Sequence, residues 1–88
     1  MRWQELRQKY PHKWLIVEAV DAVSKNKHRL LNQVNMIDAF AQSMAALDEY
    51  RKLHKNDPNR EYYVVHTDRK FLKFPESQWL GIRLTREN

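Results

Sequence analysis

The pattern of apolar and polar residues is clearest in residues 60–67, where aromatic and β-branched side chains are more concentrated than anywhere else in the chain. Side chains alternate between the two faces of a strand, so the apolar groups occupy both faces: Tyr62 and Val64 on one, Tyr63 and Val65 on the other. An exposed strand of this composition would be an aggregation site. We therefore expect this segment to lie inside a sheet, with a neighbouring strand on each side.

Three further segments have the pattern of strands. Residues 13–23 form a long β-branched run after a proline, and residues 79–85 alternate between apolar and other side chains. Residues 30–40 alternate less regularly. A strict period of two in this segment separates two sets of side chains: Val34, Met36, Asp38 and Phe40 on one face, and Asn35, Ile37 and Ala39 on the other.

Apolar residues at spacings of three and four predict two helices. Trp3, Leu6 and Tyr10 lie on one stripe of a short helix that the following proline ends. A second helix, with Ser43 as its N-cap, has an apolar stripe formed by Met44, Ala46, Leu47, Tyr50 and Leu53. The turn-forming residues 56–59 end this helix, because an aspartate before a proline is held out of the α conformation.

These elements predict an α+β fold in the order α-β-β-α-β-β. Residues 24–29 are polar, and Asn26 tolerates the left-handed conformation of tight reversals, so the first two strands form an antiparallel hairpin. We expect residues 1–88 to form a single domain, in which one long helix packs on a four-stranded, mainly antiparallel sheet and the short N-terminal helix helps to cover it. Residues 68–76 fit no regular pattern, and both a short helical turn and an irregular flap remain open.

The composition narrows the class of protein. Hydrophobic residues make up 42% of the 88 residues and charged residues 31%, which is typical of a globular domain. The chain has no cysteine, which excludes a disulfide framework and a thiolate metal site. The longest apolar run, residues 14–17, is far shorter than the roughly 20 residues of a membrane helix, and the amino terminus lacks a signal-peptide core. We therefore expect a cytoplasmic protein that does not enter a membrane.

The formal net charge of +5 agrees with an acidic partner, nucleic acid included. The positive residues are nevertheless scattered along the chain, in small groups near the predicted turns. This distribution favours a solvated surface over a dedicated binding face.

Three short motifs are similar to those of a group of short bacterial proteins. They are Tyr-Pro-His-Lys-Trp-Leu at residues 10–15, Tyr-Tyr-Val-Val-His-Thr at residues 62–67 and Gly-Ile-Arg at residues 81–83. In that group a Tyr-Pro-x-Lys-Trp opening leads into the first strand of a small α/β fold. The resemblance implies a bacterial protein with that fold, and it implies no activity and no site residue.

Acid–base chemistry has one candidate, the sequence His66-Thr67-Asp68 at the exit of the 60–67 strand. The chain has no cysteine nucleophile, no Gly-x-Ser-x-Gly elbow, no glycine-rich phosphate loop and no His-Glu-x-x-His zinc signature to complete such a site. Its four histidines share no ligand spacing, so we expect neither a metal nor a cofactor. A small enzyme centred on His66 is therefore the third of three hypotheses, and no small-molecule substrate is identified.

The second hypothesis is weak, largely nonspecific binding of nucleic acid. A sheet face that carries Tyr62 or Tyr63 close to basic side chains would stack on the bases of a single strand and contact its phosphates. The match to the RNA-recognition strand is poor, because residues 60–67 lack the glycine and have Val64 and Thr67 where aromatic residues are expected.

The leading hypothesis is a noncatalytic protein-interaction module. The chain carries many large aromatic side chains for its length, and interface cores favour such residues. A sheet with one helical layer also leaves a face partly open, which a homodimer would cover. The candidate partner-binding residues of the two binding hypotheses are Phe71, Phe74, Trp79, Tyr62, Arg69, Lys70 and Arg83.

Overall fold

A computed structural model of the protein describes residues 1–75. The elements, in chain order, are α1 (Trp3–Lys9), β1 (Trp14–Lys25), β2 (His28–Phe40), α2 (Ser43–Asn56), β3 (Tyr62–His66) and β4 (Lys73–Pro75). The strands form one antiparallel sheet in the order β3-β1-β2-β4. The α+β class, the order α-β-β-α-β-β and the four-stranded antiparallel sheet are thus confirmed. The expectation of one long helix is slightly off, because α2 has 14 residues, an ordinary helix length.

The fourth strand is not the one that the alternation pattern predicts. It is the three-residue β4, inside the segment for which the sequence left a helical turn or a flap open. The predicted strand at residues 79–85 lies outside the described residues. Within residues 1–75, β3 pairs with β1 alone and stands at the end of the sheet, so the neighbour expected on its other side is not among these residues.

Apolar side chains are buried on both faces of β3, as its composition predicts. Tyr62 and Val64 pack with α2 in one cluster, the α2-side core. Tyr63 and Val65 pack with α1 in a second cluster, the α1-side core. A strand at the end of the sheet is therefore covered above and below by a helix.

The sheet is strongly curved around the α1-side core. Phe74 belongs to β4 at one end of the sheet and Tyr63 to β3 at the other, yet their rings are stacked with centroids 4.8 Å apart. The two end strands can meet only if the sheet bends towards itself. Both rings are fully buried, so the curvature closes the core of a small domain.

The β1–β2 hairpin turns through two residues with left-handed backbone, Asn26 (φ 53°) and Lys27 (φ 63°). Positive φ at both central positions is the requirement of a type I′ turn, whose twist matches that of the flanking strands. The left-handed Asn26 is thus confirmed. The loop is shorter than the polar stretch suggested, since the strands extend to Lys25 and His28.

Three shifts of register interrupt the hairpin ladder and change which residues share a face. They leave Val20 in β1, and Ile37 and Asn32 in β2, without a residue opposite. Each extra residue is a bulge that reverses the alternation beyond it. The prediction that Ala39 faces away from Val34 and Met36 is therefore wrong: all three pack in the same core.

The short first helix docks onto the sheet and is not a loose tail. Trp3 and Leu6 are buried in the α1-side core, and the Trp3 indole Nε1 donates to the carbonyl of Arg69 at 2.7 Å. The chain before the helix is also held, because the Met1 amino group donates to the Val34 carbonyl at 2.6 Å and the Val34 amide donates back at 3.0 Å. The first residue therefore occupies the outer edge of β2.

The second helix begins one residue earlier than predicted. Gln42, in an extended conformation, is the N-cap, and Ser43 is the first helical residue. Ala46 and Tyr50 are buried against the sheet, whereas Met44 is 60% exposed and does not belong to the buried stripe. Neither helix within residues 1–75 has the length and apolar character that a bilayer crossing requires.

Candidate functional site

Residues 69–73, here called the Phe71 loop, present one large apolar side chain to solvent. Phe71 is 71% exposed, while the next residue, Leu72, is buried in the α1-side core. The loop is folded around the guanidinium of Arg69, whose Nε donates to the Phe71 carbonyl and whose Nη2 donates to the Lys73 carbonyl, both at 2.9 Å. The backbone that carries Phe71 is thus fixed by hydrogen bonds.

Phe74, a second candidate contact residue, belongs to the core. Phe74 is 1% exposed, and its ring stacks on Tyr63. The Arg69 guanidinium also lies over the Phe74 ring, with Cζ 4.6 Å from the ring centroid. Phe74 is therefore not available to a partner at the surface of the folded chain. Arg69 is engaged by this ring and by two carbonyls, so its contacts hold the loop together.

The two tyrosines of the nucleic-acid hypothesis are also buried. Tyr62 is 4% exposed under α2 and Tyr63 is 1% exposed in the other core. The Tyr63 hydroxyl donates to Glu61 Oε2 at 2.5 Å. An open sheet face on which these rings stack with bases does not exist within residues 1–75. The apolar alternation that predicts the strand is satisfied entirely by the two cores.

Two arginines are held by carboxylates of the same chain. Arg29 is bidentate on Glu61, at 2.9 and 3.1 Å, and Arg60 is bidentate on Glu18, at 2.6 and 2.7 Å. The hydrogen bond with Glu61 raises the pKa of Arg29 against the opposing effect of burial, and the hydrogen bond with Glu18 raises the pKa of Arg60. Two of the positive side chains are thus paired with carboxylates of the chain itself.

Of the remaining candidate residues, Lys70 is exposed beside Phe71, and its carbonyl accepts a hydrogen bond from Gln4 Nε2 at 2.8 Å. Lys73, on the other side of the loop, is exposed as well. Trp79 and Arg83 lie outside the described residues. The Phe71 loop therefore combines one exposed ring with two exposed lysines.

His66, the residue on which the enzyme hypothesis is centred, is a half-buried residue at the end of β3. Its Nδ1 accepts a hydrogen bond from the Asp68 amide at 3.1 Å, and its ring meets Trp14 edge-on with centroids 5.0 Å apart. Accepting at Nδ1 means that the proton of the neutral ring is on Nε2. These contacts give His66 the role of holding the turn that carries Asp68.

A different histidine forms the close pair with Asp68. His12 Nδ1 lies 2.9 Å from Asp68 Oδ1, at the rim of an open cavity of about 340 Å³ that we call the His12–Asp68 cavity. Arg7, Gln8 and Thr67 also line it. Neither His12 nor Arg7 is among the residues that the sequence patterns single out.

The pairing of β1 with β3 explains why residues so far apart in the chain meet. The ladder continues one step past Trp14 and His66: the Thr67 amide donates to the Lys13 carbonyl at 2.9 Å, and the Lys13 amide donates to Thr67 Oγ1 at 3.0 Å. The next residue on each side is His12 and Asp68. The missed signal was this register, which would have followed from pairing the first strand with residues 60–67.

The backbone at His12 has an unusual conformation. Its φ is 57°, in the left-handed region that is uncommon for residues other than glycine, although asparagine, aspartate and histidine enter it more often than the rest. Such a conformation persists only when the surrounding structure enforces it. Here the bridge between Lys13 and Thr67 fixes the chain immediately after His12.

Metal binding has no support in the part of the chain that the structure describes. Within residues 1–75, no three His, Cys, Asp or Glu side chains come together as a ligand set. His12, His66 and Asp68 are neighbours, but the Nδ1 atoms of both rings are engaged by Asp68.

Comparison with known proteins adds no relative to this picture. No family model, no curated protein and no solved structure matches the chain. The roles of the Phe71 loop and of the His12–Asp68 cavity are therefore inferred from their own contacts.

Proposed function

We propose that the protein is a small noncatalytic protein-interaction module and that the Phe71 loop is its contact surface. One observation carries this proposal: Phe71 is 71% exposed on a backbone that Arg69 holds in place. A side chain presented on a preorganised backbone loses less conformational entropy on association than one on a free loop. Complete burial of a phenylalanine contributes about 1.5–3 kcal/mol, which is enough for it to be a hot spot.

The charges around Phe71 indicate the chemistry of the partner. Lys70 and Lys73 are exposed and lie one and two residues from Phe71 in the chain, and neither forms an ion pair within residues 1–75. Opposite charges across an interface speed association and select among partners. We therefore infer a partner protein that has an apolar pocket bordered by acidic groups.

Self-association through this loop is disfavoured by the same charges. A two-fold dimer interface is isologous, so a contact centred on Phe71 would place Lys70 and Lys73 of one copy near those of the other. Like charges at close range oppose association. We infer a different protein as the partner, in the cytoplasm, a reducing compartment with which the absence of cysteine agrees.

Weak binding of single-stranded nucleic acid is a second candidate function of the loop. The specific observation in its favour is an exposed aromatic ring in a loop that also carries two exposed lysines, since stacking on bases and contacts with phosphates are the two components of such binding. In this form the hypothesis uses Phe71 in place of the buried tyrosines.

Replacement of Phe71 by alanine in the full chain tests both functions. The matched control is Met44→Ala, which removes another exposed apolar side chain, this one from α2. We expect a partner captured by the wild type and by Met44→Ala to be bound about tenfold or more weakly by Phe71→Ala, because truncating a hot spot costs 1.4 kcal/mol or more. The measurement is quantitative affinity capture, followed by titration of the purified partner.

Equal binding by all three proteins would contradict the proposal, provided that circular dichroism shows each of them folded. Gel retardation of single-stranded RNA at low salt separates the second candidate. Retardation that is lost in Lys70→Gln and in Phe71→Ala, together with no captured protein, would assign the loop to nucleic acid instead.

A further inference from the structure

The His12–Asp68 cavity contains hydrogen-bond donors that the protein itself does not use. Arg7 donates from Nε to the Thr67 carbonyl at 2.8 Å and from Nη1 to Gln4 Oε1 at 2.9 Å. Within residues 1–75 its Nη2 has no partner, and neither does Nε2 of His12. A guanidinium that is held by two of its nitrogens and open at the third is a preformed site for an oxyanion.

We propose that this cavity binds a small phosphate monoester, with Arg7 Nη2 and the protonated Nε2 of His12 as the donors. Arg7 on α1 and His12 on the chain before β1 both line the cavity, so they approach a ligand from two elements. The several oxygens of a phosphate accept hydrogen bonds from separated donors at once. This site is independent of the proposed role of the Phe71 loop.

Acidic and basic groups both lie near His12 in the cavity. Asp68 is bonded to Nδ1, which leaves Nε2 to face the ligand. Arg7 lines the same cavity. His66 accepts the Asp68 amide at Nδ1, and this nitrogen lies 3.6 Å from the Asp68 carboxylate. Lys13 follows His12 and is exposed.

The size of the cavity limits the ligand. A volume of about 340 Å³ is at the lower end of the range for small-molecule sites, which runs from about 300 to 1,000 Å³. It accommodates a phosphate with a small organic group. Arg7 and Thr67 are held by the hydrogen bonds already described, so the site needs little rearrangement to form.

The test is a titration of the full chain with inorganic phosphate and with methyl phosphate, followed through the histidine ring protons in NMR spectra. His12→Asn assigns the His12 signal by its loss, and it is expected to leave the fold intact because asparagine tolerates a left-handed backbone. We expect the His12 signal to move on titration, with methyl phosphate bound at least as tightly as phosphate.

Two variants and one control decide the outcome. We expect His12→Asn and Arg7→Gln each to weaken methyl phosphate binding about tenfold or more, which corresponds to the loss of one charge-assisted hydrogen bond. The control Lys52→Gln removes one exposed positive charge from α2 and is expected to bind as the wild type does. Equal weakening by Lys52→Gln, unchanged binding by a folded His12→Asn, or a His12 signal that does not move would each overturn the proposal.

Discussion

The Phe71 loop and one wall of the His12–Asp68 cavity are formed by the same stretch of chain, residues 67–73, which leads from β3 into β4, but they present opposite chemistry. The loop turns an apolar ring outward, and the cavity gathers polar groups. Helix α1 donates hydrogen bonds to the connection at both places, from Trp3 near one and from Arg7 near the other. A single short helix thus fixes two stretches of chain that would otherwise have few backbone partners.

The comparison shows how a small domain can place different chemistry on neighbouring residues. Over residues 67–70, three backbone carbonyls accept hydrogen bonds from side chains of α1. These bonds hold the connection where no ladder does, so its side chains are presented from a fixed backbone. We expect stability and binding to separate cleanly when the two regions are mutated.

The largest expected effect concerns Phe74, the buried neighbour of the exposed ring. Phe74→Ala removes the ring between Tyr63 and Arg69 and should lower the free energy of unfolding by about 3–5 kcal/mol. Phe71→Ala, its matched control three residues away, should change that free energy by no more than about 0.5 kcal/mol. Urea denaturation of the two variants measures the difference. Losses of similar size would mean that the loop is not divided into a core side and a solvent side.

An intermediate effect is expected at Thr67, on the side of the cavity. Thr67 is buried, with 2% of its surface exposed. Its hydroxyl oxygen accepts a hydrogen bond from the Lys13 amide at 3.0 Å. Thr67→Val keeps the shape and removes the acceptor, which should cost about 1–3 kcal/mol because a partly buried amide is left unpaired. Thr67→Ser keeps the hydroxyl and is the control. If serine proved as costly as valine in urea denaturation, packing of the methyl group and not the hydrogen bond would hold His12 beside Asp68.

The smallest expected effect sharpens the role of the backbone at His12. A β-branched residue is poorly accommodated at φ 57°, so His12→Val should lower the free energy of unfolding by about 1–2 kcal/mol. His12→Asn should stay within about 0.5 kcal/mol of the wild type, since its side chain is exposed and asparagine tolerates this conformation. Thermal denaturation compares the two. A valine variant as stable as the asparagine variant would show that the left-handed conformation is not enforced.

The sequence by itself determined most of the fold, because the patterns that predict it are local. The stripe of Trp3 and Leu6 on a short helix, the left-handed Asn26 and the apolar groups on both faces of residues 62–65 all depend on neighbouring residues, and the structure confirms each. The bulges in the β1–β2 hairpin have no comparable signal in the sequence. Ile37 and Val20 resemble ordinary strand residues, and only pairing shows that nothing lies opposite them.

The candidate sites were decided by the tertiary structure alone. Phe71 and Phe74 are equivalent in the sequence, and the curvature that brings β4 onto Tyr63 buries one and leaves the other outside. His12 and Asp68 are 56 residues apart, and the register of β1 with β3 brings them together. Periodicity reports which face a residue occupies within its own element. Periodicity carries no information on sheet curvature or on which strands pair with each other, because both arise from contacts between distant segments.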